Sequence, residues 1–341
     1  GRTAPLCLIY KLYSMQLMIS ANQIQQTFEE YLQNLDYSHN PDNLYAPIRY
    51  VLSLGGKRIR PTLLVLAYNM YAEDVKSVYD VAVGMEVFHN FTLLHDDVMD
   101  NAEMRRGSLT VHKKWNENTA ILSGDGMFVL AYQYLAKCNP IYLKQVLDLA
   151  NDTFIGITDG QQFDMDFETR SDVSESEYIE MIRLKTSILL AACLKMGALL
   201  GGASEQDASL LYSFGEKLGL AFQLQDDLLD VYGDAKVFGK RIGGDIVCNK
   251  KTYMYINTCL LASEEEKGIL AKWAQYEGDD MDAKIEAVKA VYDSVGIKGK
   301  AEAKIEELFN EAMSLLNKVS VSEDRKNVLR EYALGLMNRV L

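Results

Sequence analysis

Leu94-His95-Asp96-Asp97-Val98-Met99-Asp100 is echoed by Leu224-Gln225-Asp226-Asp227-Leu228-Leu229-Asp230, 130 positions further along the chain. Each copy carries an Asp pair, two apolar residues and a third Asp. On a helix, positions i and i+4 share a face. Asp96 then stacks with Asp100, and Asp226 with Asp230. Like charges so placed repel and weaken a bare helix by roughly a few tenths of a kcal/mol per pair. Such a cluster needs a cation. Carboxylate oxygens with no His or Cys among them suit Mg²⁺ or Mn²⁺. One copy alone would read as a solvated helix face. Two copies, each embedded in apolar sequence, point to a metal.

The flanking sequence is helical in pattern. All five prolines (Pro5, Pro41, Pro47, Pro61, Pro140) lie in the first 140 residues, and the rest of the chain has none, which suits uninterrupted helices. Amphipathic periods predict helices at 22–35, 61–71, 75–101, 118–137, 141–167, 176–200 and 204–232. Five more follow at 250–261, 264–276, 281–295, 299–319 and 322–340. Pro41 is expected to end the first of these, Pro61 sits early in the second, and no strand pairs are expected. Gly pairs at 55–56, 201–202 and 243–244 mark loops. No linker rich in Pro, Ser or Gly divides the chain. The expectation is an all-α protein, residues 20–341 forming a single large helical bundle. The two Asp-rich helices would face one another across a central cavity. Residues 1–19 read as a remnant or upstream extension.

The net charge of −13 argues against nucleic-acid binding, which asks for a basic face. Anionic substrates remain compatible, because a bound metal inverts the local charge. The five Cys are scattered and lack C-x-x-C spacing. They read as thiols in a reducing compartment, and a cytoplasmic location is expected. No apolar run is long enough to span a bilayer, so no stable membrane insertion is expected.

Cations surround the acidic clusters in sequence. Gly55-Gly56-Lys57-Arg58-Ile59-Arg60-Pro61 places two flexible residues and three cations before a helix N-terminus, an arrangement that suits phosphate. His89 lies about two turns before Asp96; taken alone it reads as a core histidine. Arg105-Arg106 follow the first cluster, and Arg suits bidentate phosphate contact. Gly160-Gln161-Gln162-Phe163-Asp164, Lys185-Thr186, Gln223, Lys240 and Lys250 complete the inventory. This is more positive charge than one phosphate needs, and it suggests two polyanionic substrates. No Ser, His and Asp form a nucleophile motif, and no Cys stands beside a His. Chemistry at a metal-bound diphosphate without a protein nucleophile points to ionisation of a leaving group. Before Asp96 the helix turns apolar. At about 1.5 Å per residue, Phe91 lies roughly 7 Å below Asp96 and Phe88 roughly 12 Å, so an aromatic there would floor a tunnel for a hydrocarbon tail. Ordinary core packing has the same spacing.

These stretches, in this order, closely resemble the trans-isoprenyl diphosphate synthases, the polyprenyl synthetase family. The matching segments are GGKRIRP at 55–61, LLHDDVMDNAEMRRG at 93–107, ENTAILSGD at 117–125, GQQFD at 160–164, LKT at 184–186, FQLQDDLLD at 222–230 and FGKRIGGDIVCNKKT at 238–252. The resemblance covers about residues 44–255 well. It implies that Asp96, Asp97, Asp100, Asp226, Asp227 and Asp230 hold about three Mg²⁺ that bridge an allylic diphosphate. Arg105, Lys185 and Lys240 would grip that diphosphate, with Lys250 nearby. Lys57, Arg60, His89 and Arg106 would bind isopentenyl diphosphate. Thr186 and Gln223 would lie beside the allylic cation. The implied reaction is ionisation, condensation and elimination, with pyrophosphate released and a homodimer as the working form.

Phe91 five residues before Asp96, Thr92 four before, Phe88 beyond them, and a first cluster with no two-residue insertion resemble geranylgeranyl synthases of the uninserted type. A product of fifteen or twenty carbons is expected, with twenty favoured. Tyr253 follows Thr252 where many relatives have proline, and the end Asn338-Arg339-Val340-Leu341 is not strongly basic. The nearest rival is a class I terpene cyclase, which usually lacks a second full Asp motif and the Lys57, Arg60, His89 set. A non-catalytic subunit of a heteromeric synthase would tend to lose one motif; both are intact here.

Overall fold

The computed structural model describes residues 18–234 and 242–338. Helices dominate it. In chain order those of eight residues or more are α1 Ala21–Gln33, α2 Asp42–Ser53, α3 Ile59–Asn69, α4 Tyr79–Met99, α5 Glu117–Leu135, α6 Leu143–Thr169, α7 Glu175–Ile182, α8 Ile188–Leu200 and α9 Glu205–Tyr232. The remainder are α10 Tyr253–Leu261, α11 Glu264–Ala274, α12 Met281–Ser294, α13 Ile297–Asn317 and α14 Glu323–Met337. The starts follow from local chemistry. Ser20 with Gln23, Ser174 with Glu177, and Ser263 with Glu266 each close a capping box, satisfying N–H groups that would otherwise lack partners. Among the described residues no helix is long and apolar enough to cross a membrane.

The chain falls into two compact units, each assembled from separate stretches. The first takes residues up to Asn151 with Cys193–Ser209 and Ser320–Leu329. The second takes Asp152–Ala192, Leu210–Val319 and the residues from Arg330 onward.

In the first unit α4 is the central element. It packs against α3 on one side and α5 on the other, and α2 lies on α5. Between Tyr79 and Asn90 every residue of α4 but Asp80 and His89 is buried, as expected for a helix enclosed by neighbours. Asp207 ties later segments to this body: it accepts from the Tyr71 hydroxyl at 3.0 Å and from the Ser320 N–H and hydroxyl at 3.0 and 2.6 Å.

In the second unit the C-terminal part of α9 packs with α7, α10, α12 and α13 around Tyr178, Leu224, Leu228, Tyr253, Val288 and Tyr292. Lys284 of α12 is buried at 2% exposure and is satisfied by the Val247 carbonyl at 3.1 Å and Asn249 Oδ1 at 2.8 Å.

Three features depart from the sequence expectations. A helix, α2, runs from Asp42 through Pro47, where none was expected after Pro41. Pro47 stands in its second turn and buries its ring, and that burial offsets the missing N–H. A two-stranded ribbon pairs Met104–Arg105 with Ser108–Leu109, although no strand pair was expected. Its turn residues, Arg106 and Gly107, both have positive φ (53° and 75°), the conformation of a tight hairpin turn. The predicted helix 176–200 is interrupted by a π-helical turn, Arg183–Ser187, between α7 and α8.

Candidate active site

The first unit holds Lys57 and Arg60 at the start of α3, His89 in the middle of α4, and Arg105 and Arg106 in the ribbon that follows α4. Gly55, Gly56 and Arg58 all have positive φ, and this turn launches α3. Arg58 is buried at 4% exposure. It donates to Glu29 at 2.7 Å, to Glu86 at 2.7 Å and to the Leu52 carbonyl at 2.8 Å. Arg58 is therefore an internal clamp. Arg60, two residues on, is half-buried. Its Nε is sealed from solvent with no hydrogen-bond partner, and its Nη1 lies 3.2 Å from His89 Nε2. Burial, reinforced by Arg60, Arg106 and Arg105, holds the His89 imidazolium well below its ordinary range. His89 is thus neutral near pH 7, and its carbonyl accepts from the Thr92 hydroxyl at 2.8 Å. Arg106 reaches back to the Gly55 carbonyl and lies 3.5 Å from Asn90 Oδ1. A buried unsatisfied donor costs about 1–3 kcal/mol, so a guanidinium left in this state is poised for an anion. Lys57 is exposed beside them.

The ribbon turns its two arginines to different tasks. Arg105 donates through Nε to both oxygens of Asp97 at 3.0 Å, and through Nη2 to Oδ1 at 2.6 Å. Asp97 is buried at 5% exposure, whereas Asp96 is half-buried and Asp100 exposed. The Asp pair is therefore split by the helix: Asp97 turns inward to Arg105, and the i, i+4 partners keep the outer face.

Below them, Phe91 and Phe88 join one aromatic cluster. Their centroids are 5.5 Å apart, and Phe128 of α5 lies 5.4 Å from Phe91 and 6.1 Å from Phe88. Tyr132 follows at 5.3 Å from Phe128. Sequence reading missed Phe128 and Tyr132. Their i, i+4 aromatic spacing was the available signal, but nothing in one sequence pairs α5 with α4.

In the second unit the π-turn carries Lys185 and Thr186. Two glycines admit it. A Cβ at Gly160 would stand 2.4 Å from the Lys185 backbone nitrogen, and one at Gly219 would stand 2.7 Å from Ser187 Cα. Lys185 Nζ donates to Asp164 Oδ2 at 2.6 Å, which joins two segments that are each weak in sequence. The Thr186 hydroxyl is 3.4 Å from Gln223 Oε1, and Gln223 Nε2 donates to Asp227 Oδ1 at 3.2 Å. The Tyr178 hydroxyl donates to Asp227 Oδ2. Burial, then the nearby Asp245, pushes the Asp227 carboxyl up to about 8. Asp226 and Asp230 are half-buried, so the second motif is split like the first. Asp230 Oδ2 accepts from the Asp245 N–H at 3.0 Å, and the Lys250 N–H donates to the Asp245 carbonyl at 2.9 Å. Lys240 lies outside the described residues. Among the described residues, no three His, Cys, Asp or Glu side chains form a preassembled ligand set.

The polyprenyl synthetase family model matches residues 41–294. A geranylgeranyl diphosphate synthase of Methanosarcina mazei is 45% identical over 219 residues, covering 64% of this chain and 68% of the relative. A short chain isoprenyl diphosphate synthase of Methanocaldococcus jannaschii is 33% identical over 325 residues, covering 95% and 97%. A geranylfarnesyl diphosphate synthase of Natronomonas pharaonis is 36% identical over 274 residues, covering 75% and 78%. A crystal structure of a geranylgeranyl pyrophosphate synthase superposes with a TM-score of 0.90 at 40% identity, covering 95% of this chain and all of that one. The chain belongs to the polyprenyl synthetase family and is a trans-isoprenyl diphosphate synthase.

Proposed function

We propose that this enzyme condenses isopentenyl diphosphate with an allylic diphosphate (dimethylallyl, geranyl or farnesyl), releases pyrophosphate, and makes an all-trans product of twenty carbons. The observation that carries the reading is Arg60. Its sealed, unpaired Nε beside neutral His89 and Arg106 is a site for an anion that needs no metal. Lys57, Arg60, His89 and Arg106 hold isopentenyl diphosphate through charge and hydrogen bonds. Lys185, Lys240, Lys250 and Arg105 are assigned to the allylic diphosphate, and Thr186 with Gln223 to its reacting carbon.

Mg²⁺ fits the remaining donors, which are all carboxylate oxygens. Asp96 and Asp100 would hold it in the first motif, and Asp226 and Asp230 in the second. Asp97 and Asp227 are the buried members of their motifs and accept from Arg105 and from Tyr178 with Gln223, so they are assigned to hold the motifs in place. When bound, Mg²⁺ neutralises the diphosphate and stabilises it as a leaving group. The chain's own residues bind the two anions, orient them and keep the hydrocarbon tail in an apolar lining. Phe88 and Phe91, with Phe128 behind them, limit its length; Thr92 lines the wall.

A homodimer is part of the proposal. Ile121, Leu122 and Val129 stand exposed on α5, an apolar patch of the kind a second copy covers. Light scattering on the purified protein tests this, and a monomer at micromolar concentration would refute it.

The test of the function is incubation with isopentenyl diphosphate, Mg²⁺ and each allylic diphosphate in turn, with chromatography of the products. A twenty-carbon product is expected. Absence of elongation with every allylic partner would sink the reading.

A further inference from the structure

We infer that Tyr178 is a positioning residue for the ionising step, acting through Asp227 and Gln223 on the Thr186 hydroxyl. The inference rests on the function proposed above. Tyr178 lies on α7, outside the stretches that carry the family resemblance, and it is 1% exposed within the core of the second unit. A buried phenol must place its O–H, and this one places it on Asp227 Oδ2.

For the ionised form of Asp227, which can only accept, the directions of the bonds follow from donor and acceptor chemistry. Tyr178 donates to Asp227. The other Asp227 oxygen accepts from Gln223 Nε2 at 3.2 Å, so the Gln223 amide is fixed with its NH₂ toward Asp227. That leaves Gln223 Oε1 toward Thr186, and the Thr186 hydroxyl donates to it across 3.4 Å. The hydroxyl hydrogen of Thr186 is thereby committed inward, and its lone pairs face outward. An oxygen presented in that sense stabilises an electron-poor carbon; turned the other way, it presents a hydrogen and opposes positive charge. A flipped Gln223 amide would reverse the polarity. Asp227 excludes the flip only while its carboxyl is itself pinned, and Tyr178 is the pin.

The backbone supports the same reading. Thr186 sits in the π-turn Arg183–Ser187, an irregularity that costs helix regularity and recurs at functional sites. Gly160 and Gly219 hold that turn against its neighbours, so the Thr186 Cα is fixed and only the hydroxyl rotor is left to be set.

The test compares Tyr178→Phe, Thr186→Val and the double variant in the full-length enzyme, measuring kcat, KM for each substrate and thermal unfolding. Phe fills the Tyr178 volume and removes only the hydroxyl. Tyr178→Phe is expected to lower kcat roughly ten- to hundredfold, about what one lost hydrogen bond to a charged group is worth, with KM for isopentenyl diphosphate within about twofold of wild type. If the residues act as one chain, the double variant is about as slow as Thr186→Val alone, because coupled sites are not additive. A double variant slowed by the product of the two single effects would overturn the inference. So would a Tyr178→Phe enzyme that unfolds at lower temperature yet turns over at the wild-type rate, which is the signature of a purely structural phenol. A wild-type enzyme that elongates nothing removes the proposed function and this inference together. An active wild type with an unaffected Tyr178→Phe variant removes the inference alone.

Discussion

Arg105 spans both carboxylate oxygens of Asp97, from a hairpin that begins only four residues after the Asp-rich motif ends. The pair is unequal in exposure: Asp97 is 7% exposed in its side chain and Arg105 30%. Helical geometry forces the split, since Asp97 lies about 100° around the helix from Asp96 while Asp100 nearly eclipses it. Three like carboxylates are thereby reduced to two on the outer face, and the third becomes a structural anchor.

This division separates two variants that look alike in sequence. Asp96→Asn is expected to raise the Mg²⁺ concentration needed for half-maximal rate and to cut turnover by orders of magnitude, with little change in melting temperature. Asp97→Asn is expected to leave the Mg²⁺ requirement near wild type and to cost ~1–3 kcal/mol of stability, because Arg105 keeps its partial burial and loses a charged acceptor. Mg²⁺ titrations and denaturant melts on the two variants check this. Equal shifts in Mg²⁺ requirement would contradict it.

His89 supplies a pH test. Its folded-state pKa lies below the ordinary 6.5, through burial first and then through Arg60 and Arg106. A group depressed on folding contributes stability that is full above 6.5 and is lost as pH falls toward the folded value, because the unfolded chain takes up the proton first. Stability should therefore decline as pH drops from about 6.5. His89→Gln keeps a neutral hydrogen-bonding side chain and removes this titration, so its stability should depend less steeply on pH across that window. Urea midpoints at several pH values decide the matter, and identical slopes in the two proteins would remove His89 from this role.

Much of this arrangement was legible in the sequence. Helices and their Gly-marked breaks follow from periodicity and from the Pro-free stretch after residue 140, and both Asp motifs announce their i, i+4 faces. What sequence could not give is pairing. Nothing local says that Asp97 meets Arg105, that Lys185 meets Asp164, or that Phe128 packs on Phe91, because each is set by the packing of distant elements. The ribbon escaped because its turn pair is Arg106-Gly107 and a charged residue rarely adopts positive φ. The π-turn escaped because Ser176–Leu200 keeps a helical period through it; its cause lies in Gly160 and Gly219 on other helices.

The aromatic cluster predicts product length. Phe91 and Phe128 are in contact at 5.4 Å, and Tyr132 stands one turn further along α5. Removing Phe91 alone leaves Phe128 partly in the way, so Phe91→Ala should lengthen the product by about one isoprene unit. Phe91→Ala with Phe128→Ala should lengthen it further than either single change. Chromatography of dephosphorylated products gives the answer, and an unchanged profile in the double variant would place the floor elsewhere.

Gly160 gives a sharper test, because its constraint is steric and local. A methyl group there would come within 2.4 Å of the Lys185 nitrogen, inside any tolerable contact. The atom it meets is backbone, which cannot rotate away as a side chain can. The π-turn must then shift, and Lys185 and Thr186 shift with it. Gly160→Ala is otherwise a stabilising exchange in a helix interior, worth roughly 0.5–1 kcal/mol. Both effects act together, so the variant is expected to lose on balance about 1–3 kcal/mol. Its KM for the allylic diphosphate should rise about tenfold or more while that for isopentenyl diphosphate changes little, since Arg60 and His89 belong to other helices. Kinetics with each substrate varied in turn distinguish the cases. A proportionate loss in both would mean that Gly160→Ala disturbs the fold at large and not the Lys185 turn.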